Sequence, residues 1–213
     1  MSVGSNFIDI SPCLTAETPV WPGDTPLSRQ VLTSISNGSN IDLSTLKTTV
    51  HIGAHADAPK HYHASGVSID LVAIDPYIGD CVVVHLKGVG LIEPKHCHDV
   101  IKSGLKRVLF RTDSFKHDGL FQESFTSFSP DAIDSLGKAG FILIGIDTPS
   151  VDPFHSKDLP SHQMLYKHKI VNIEGLDLSN APAGTYEFIG VPLKLKGFDA
   201  SPIRAVLRKL PQS

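Results

Sequence analysis

Cysteine is scarce and unpaired in this sequence: Cys13, Cys81 and Cys97 are odd in number and form no C-x-x-C pair. That argues against a disulfide framework and a thiolate zinc site, and it points to a reducing compartment such as the cytosol. Long apolar runs are also missing. The longest, CVVVHL and FILIGI, are far shorter than the roughly 20 residues that span a bilayer, so no membrane partner is expected. The opening MSVGSNFIDISPCLTAE has no basic start followed by an apolar core, and no secretory signal is expected. With a formal charge of −3 and no basic run, nothing favours nucleic acid as a partner. No G-x-S-x-G stretch is present, which removes the serine-hydrolase elbow.

What is present suits one sizeable core. The chain has 213 residues, 41% apolar and 19% charged, and a single domain over 1–213 is the simplest organisation. Its 17 glycines and 15 prolines predict many turns and short elements rather than a helical bundle. FIDIS, 43–50, 80–86, 107–113, 141–147, IVNIEGL and YEFIGVPLKL read as strands, several of them buried. Segments 93–104, 129–140 and 159–169 read as helices, the second with Ser129 as N-cap and Pro130 at the first helical position. Helices between some strands but not others predict a mixed α/β or α+β fold around a central mixed sheet.

The densest chemistry lies in HIGAHADAPKHYH at 51–63, where His51, His55, Asp57, His61 and His63 all fall on odd positions. Gly53 inside the first pair and Pro59 soon after it argue against one helical face. In an extended chain 51, 55, 57 and 61 point one way, and Ile52, Ala54, Ala56 and Ala58 point into the protein. A solvated polar loop and a metal site are both open to such a segment. Imidazole and carboxylate together suit zinc or another divalent transition metal. The strand at 43–50 is expected to lead directly into it.

HIGAHADAPKH closely resembles the H-x-G-x-H-x-D-x-P-x-H signature of the metal-dependent cyclase-like hydrolases. VWPGDTP, GIDTPSVDP, IVNIEGLDLS and YEFIGVPLKLKGFDASPIRAVLR extend the likeness over nearly the whole chain, and to the bacterial-type kynurenine formamidases, or arylformamidases, in particular. The resemblance implies a barrel-like β core flanked by helices, of the swivelling β/β/α type, and a homodimer. It implies two divalent ions per subunit, zinc first, with manganese or cobalt as other ions such ligands accept. His51, His55 and Asp57 would hold the first, Asp57 would bridge, and His162 with Glu174 would complete the second. Spacing alone would not have selected His162 or Glu174, although a carboxylate inside the apolar IVNIEGL asks for a cation. His61 would be the acid/base and Trp21 would contact substrate. Where the family often has threonine between the ligands, this chain has Ile52 and Ala54.

The implied reaction is hydrolysis of N-formyl-L-kynurenine to L-kynurenine and formate, a step of tryptophan degradation, by attack of a metal-activated hydroxide. Two other readings stand beside it: a related enzyme that opens a cyclic amide such as isatin, and a metal-binding protein without catalysis. Trp21, in a proline- and glycine-rich loop, has core packing as its other reading. Asp147 and Asp152 are expected to order turns rather than support a ligand. LFQESFTSFSP at 120–130 is either a segment at the mouth of the site or a subunit contact. His85, His96, His98, His117 and His168 carry no comparable neighbourhood.

Overall fold

The computed structural model describes residues 6–210; the stretch read for a secretory signal begins outside them. Proline opens every α-helix among these residues, at Pro59, Pro94, Pro130 and Pro160. Its fixed φ suits the first helical position, where the missing N–H breaks no bond. The helices are α1 Pro59–Tyr62, α2 Pro94–Lys102, α3 Pro130–Lys138 and α4 Pro160–His168. The strands are β1 Phe7–Asp9, β2 Ser28–Thr33, β3 Leu43–Lys47, β4 His55–Asp57, β5 Ile78–His85, β6 Leu91–Ile92 and β7 Arg107–Arg111. They continue as β8 Ser127–Phe128, β9 Leu143–Ile146, β10 Val171–Glu174, β11 Gly184–Ile189, β12 Ala200–Pro202 and β13 Val206–Lys209.

Nine strands form one sheet in the order β1-β13-β11-β5-β7-β9-β10-β4-β12. Strands β5, β7, β9 and β10 run parallel. Parallel neighbours need a crossover, and α2, α3 and α4 supply the three in turn. The flanking pairs are antiparallel, so the mixed sheet expected from the sequence is found.

Alternation along the strands divides the interior in two. Val108, Phe110, Ile144 and Ile146 pack with Cys97, Val100, Ile133, Leu136 and Leu165 under the helices. On the opposite face, Leu207 of β13 and Ala56 of β4 belong to one cluster with Leu109, Leu143 and Ile173. Strands from distant parts of the sheet share that cluster because the sheet curls, which gives the barrel-like core. Gly145 leaves room for Leu109 of the neighbouring strand, whose side chain a Cβ there would run into.

The strand at 43–50 is shorter than expected and does not lead into the histidine segment. β3 pairs with β2 in a separate two-stranded arm, and nearly every residue of both is exposed. The bend at 48–54 then turns the chain into β4.

Two glycines let backbones meet beside β4. Gly53 has φ 54° and Gly175 has φ 65°, a region that costs little only without a side chain. A Cβ on Gly175 would also strike the Gly53 carbonyl. Gly175→Ala is therefore expected to destabilise the fold by about 1–3 kcal/mol or more, measured by urea unfolding. An unchanged midpoint would mean that this contact is not constrained.

Candidate metal centre

The alternation that buries Ala54, Ala56 and Ala58 in the inner cluster turns His55 and Asp57 to the helix-covered face. β10 does the same: Val171 and Ile173 face inward, so Asn172 and Glu174 face the helices. Because β4 pairs antiparallel with β10, His55 stands directly opposite Glu174, where facing side chains come within about 5 Å. α4 then lays His162 over the pair. The cluster lies where the sheet changes from parallel to antiparallel, at the carboxyl end of β10, a usual place for ligands in α/β sheets.

The expected extended chain is confined to β4: His51 lies in the bend before it, and His61 departs from it afterwards. Pro59 starts the single helical turn of α1, and His61 lies on that turn rather than in line with β4. It still reaches the group: its ring centroid is 4.2 Å from that of His51. One atom each from His51, Asp57 and His61 falls within 4.8 Å of the others, as does one each from His55, Asp57 and Glu174. The sequence-selected residues His51, His55, Asp57, His61, His162 and Glu174 thus converge, and all of them but Asp57 join Trp21 in the wall of a cavity of about 450 Å³.

Each of three imidazoles uses one nitrogen outward and turns the other to the carboxylates. His51 Nε2 donates to Asp199 Oδ2 at 3.0 Å, His55 Nδ1 to the Gly53 carbonyl at 2.8 Å, and His162 Nδ1 to Asp152 Oδ2 at 2.7 Å. Such outward bonds set the tautomer and aim the ring. Inward, His51 Nδ1 is 3.0 Å from Asp57 Oδ1. His55 Nε2 is 3.6 Å from Asp57 Oδ1 and 3.4 Å from Glu174 Oε2. His162 Nε2 is 3.5 Å from Asp57 Oδ2 and 3.4 Å from Glu174 Oε1.

The inward contacts of His55 and His162 fit a cation better than hydrogen bonds. With its outward nitrogen donating, a neutral imidazole presents a lone pair to an oxygen that also only accepts. His55 Nε2, His162 Nε2 and Asp57 Oδ1 are buried without a hydrogen-bond partner, an arrangement that costs free energy unless something else binds them. Ligand bonds of about 2.0–2.2 Å at tetrahedral angles would put donors roughly 3.4 Å apart, close to the separations seen. The residues fit divalent metal, with Asp57 and Glu174 each turning one oxygen toward His55 and the other toward His162.

The carboxylates draw positive charge to the same nitrogens. Burial works against charge on His51, but hydrogen bonds and charge from Asp57 and Asp199 outweigh it and raise its pKa to about 9. His162 is likewise raised, against burial, by Asp152, Asp57 and Glu174. Burial works against ionisation of Asp57 and Glu174, yet the surrounding histidines hold both below the usual carboxylate range. The pocket holds an excess of negative charge that asks for cations.

Two supporting residues escaped the sequence reading, and the role of a third is corrected. Asn172, fully buried, donates through Nδ2 to Asp57 at 3.0 Å and Glu174 at 3.1 Å; Asn in an apolar strand was the available signal. Asp199 had none before the fold brought its strand to β4. Asp152, read as a turn residue, does more than order a turn. Leu159, before α4, cannot cap a helix, and Asp152 accepts the N–H groups of Ser161 at 2.9 Å and His162 at 3.0 Å in its place. The same carboxylate orients the His162 ring. Asp147 keeps its structural role, accepting from Thr112 and Asp113.

The cavity wall is aromatic. Trp21 meets Phe154 at 4.8 Å and Phe121 at 5.3 Å between ring centroids, and Phe115, Phe121 and Trp21 line the cavity. The phenylalanine-rich segment therefore contributes to the mouth. His117, set aside in the sequence, also lines the cavity and donates to the Leu176 carbonyl at 2.9 Å.

With the geometry described, comparison decides the family: the profile of the Cyclase family matches residues 8–153. This chain belongs to the Cyclase family. The match contains His51, His55, Asp57 and His61, whereas His162 and Glu174 come from the remainder of this cyclase-family fold. A solved structure of a potential metal-dependent hydrolase with cyclase activity is 26% identical, with a TM-score of 0.80 over 97% of this chain and 98% of that one. A second, described as a "predicted metal-dependent hydrolase" from Bacillus stearothermophilus, is 26% identical, with a TM-score of 0.80 over 96% and 98%. An isatin hydrolase bound to the product analogue thioisatinate shares the fold at 20% identity, with a TM-score of 0.81 over 97% and 92%.

Replacing Asp152 by Asn keeps its size but weakens both its hold on the His162 ring and the cap. Affinity for a divalent metal is expected to fall about 10–100-fold, read by competition of added metal with a chromogenic chelator. Wild-type affinity would reduce Asp152 to a helix cap.

Proposed function

We propose that this chain is a metal-dependent hydrolase that cleaves the formyl amide of an N-formyl arylamine, with N-formyl-L-kynurenine as substrate and L-kynurenine and formate as products. The observation that carries the hydrolase reading is the convergence of three inward imidazole nitrogens on two shared, buried carboxylates beside an open aromatic cavity. Two divalent ions, zinc first, suit that donor set: His51, His55, Asp57 and Glu174 on one side, His162, Asp57 and Glu174 on the other. Such ions, when bound, supply Lewis acidity and lower the pKa of water toward neutrality.

The chain's own residues do the rest. Trp21, Phe115 and Phe121 receive the aryl ring and hold the amide over the cluster, supplying orientation. His61 is 34% exposed on the cavity wall, with Nδ1 toward Asp199 at 3.4 Å. Its Nε2 takes the proton of the attacking water and returns one to the departing nitrogen, a role to which imidazole is suited. A closed structural zinc site would use four ligands, often cysteines, and leave no cavity; the three cysteines here are free and none is in this group. Unpaired cysteines also fit a cytosolic setting.

Opening of a cyclic amide is the second reading, favoured by the shared fold of the isatin hydrolase. Both substrates present a planar aryl amide to the same donors. Purified protein is expected to release kynurenine and formate from N-formyl-L-kynurenine, to lose that activity on chelation and to regain it with zinc. Turnover of isatin alone would select the second reading, and no turnover of either with metal bound would leave a binding protein.

A homodimer is the proposed assembly, with the β2–β3 arm as its contact. An isolated hairpin is marginal in water, yet this one exposes Val31, Leu32, Ile35, Ile41, Leu43 and Leu46, each by about half or more. Apolar exposure of that kind marks an interface. Leu46→Asp is expected to shift the protein from dimer to monomer in analytical ultracentrifugation; an unchanged distribution would remove the arm from the interface.

A further inference from the structure

Asp199 is placed by strand register rather than by the histidine segment. β12 pairs antiparallel with β4, Ala200 standing opposite Asp57, and the N–H of Ala58 donates to the Asp199 carbonyl at 2.8 Å. The backbone just before β12 is thereby tied to the end of β4, and the Asp199 side chain lines the cavity. Its Oδ2 lies 3.0 Å from His51 Nε2 and 3.4 Å from His61 Nδ1.

One oxygen thus faces two imidazoles that have different tasks. His51 turns its other nitrogen, Nδ1, to Asp57, and His61 stands at the open side of the cluster. The remaining inward histidines have acceptors of their own, the Gly53 carbonyl for His55 and Asp152 for His162. Asp199 is also the more open carboxylate: its side chain is 43% exposed, against 1% for Asp152. It belongs to the cavity wall, within reach of whatever the cavity admits.

We propose that Asp199 is a positioning residue shared by a metal-holding and a proton-transferring histidine. It fixes the His51 tautomer that turns Nδ1 inward, and it steadies His61 so that Nε2 remains open to the reacting groups. The first contact is a formed hydrogen bond. The second is longer, as catalytic contacts often are before substrate tightens them. Metal retention and proton transfer are then coupled through one carboxylate, and a change at Asp199 alters both, whereas a change at His61 alters only the second. This role rests on the hydrolase reading above, but its metal-holding half is testable without turnover.

The test compares wild type, Asp199→Asn, Asp199→Glu, His61→Ala and the Asn/Ala double variant. Zinc affinity is measured by chelator competition, kcat and KM with N-formyl-L-kynurenine at saturating zinc, and folding by thermal melting. Asp199→Asn is expected to weaken zinc binding about 10–100-fold, and Asp199→Glu, which restores the carboxylate, to regain part of it. His61→Ala is expected to keep wild-type zinc affinity and lose kcat by about 10²–10⁴-fold. At saturating zinc Asp199→Asn should lower kcat with little change in KM. The double variant should be no slower than His61→Ala, because coupled groups do not multiply.

Wild-type zinc affinity in Asp199→Asn, or no recovery in Asp199→Glu, would overturn the hold on His51. Multiplying losses in the double variant would overturn the hold on His61. If no formyl arylamine or cyclic amide is turned over, the hydrolase reading fails while the zinc measurements still decide the first half. Should Asp199→Asn not fold, Asp199→Glu against wild type carries the zinc comparison, with unaltered affinity and kcat expected only if carboxylate reach is immaterial, which would overturn the proposal.

Discussion

Two carboxylates buried side by side are the constraint around which the rest of this structure is arranged. Asp57 and Glu174 sit on adjacent strands, both buried, with one Asn172 amide donating to each. Like charges about 4 Å apart repel by about 4 kcal/mol at an effective dielectric of about 20, before any cost of burial. Such a pair persists only where positive charge is returned to it. His51 and His162 return some, and their raised affinity for protons reflects the surplus. Divalent ions answer it more fully, since they also satisfy the lone pairs of His55 Nε2 and His162 Nε2 that otherwise face oxygen.

The same constraint explains features that look unrelated along the chain. Strand β4 carries alanine at the alternate position because the opposite face must pack against the inner core while His55 and Asp57 face outward. The left-handed glycines bring the chain after β10 against the chain before β4, with the Gly53 carbonyl bonding His55 Nδ1. At α4 the helix N-terminus is capped from a distance by Asp152, so the cap and the aim of His162 are one interaction. Local rules are broken there: Leu159 occupies a left-handed conformation before the helix. Strain of that kind persists where surrounding contacts over-determine the backbone.

Function reads outward from this centre in layers. The donors sit behind a wall of Trp21, Phe115 and Phe121, whose ring contacts give the cavity an aromatic face. His61 and Asp199 occupy the boundary between the buried donors and that open space. The loop after β7, which brings Phe115 and Phe121, and the loop after β9, which brings Phe154, both leave the carboxyl ends of parallel strands. The proposed substrate contacts therefore come from segments that can vary while the sheet keeps the donors in place.

The sequence by itself determined the chemistry of the first segment. HIGAHADAPKH is legible because four of its donors and their small apolar spacers are contiguous, and strand alternation holds where β4 forms, at His55 and Asp57. Helices α2 and α3 are legible for the same local reason, proline at the start and small residues with glycine at the end, and α4 by its proline alone. The tertiary structure alone decided which distant residues complete the site. His162, Glu174, Asn172, Asp152 and Asp199 are separated from that segment by about a hundred residues or more, and spacing does not encode sheet register; the likeness to a known family, not periodicity, had singled out the first two. Only the pairing of β4 with β10 and β12 places Glu174 opposite His55 and Asp199 beside His51. It also decided that His61 leaves the line of the strand, since Pro59 can begin a helical turn or continue an extended chain, and the packing around it selected the turn.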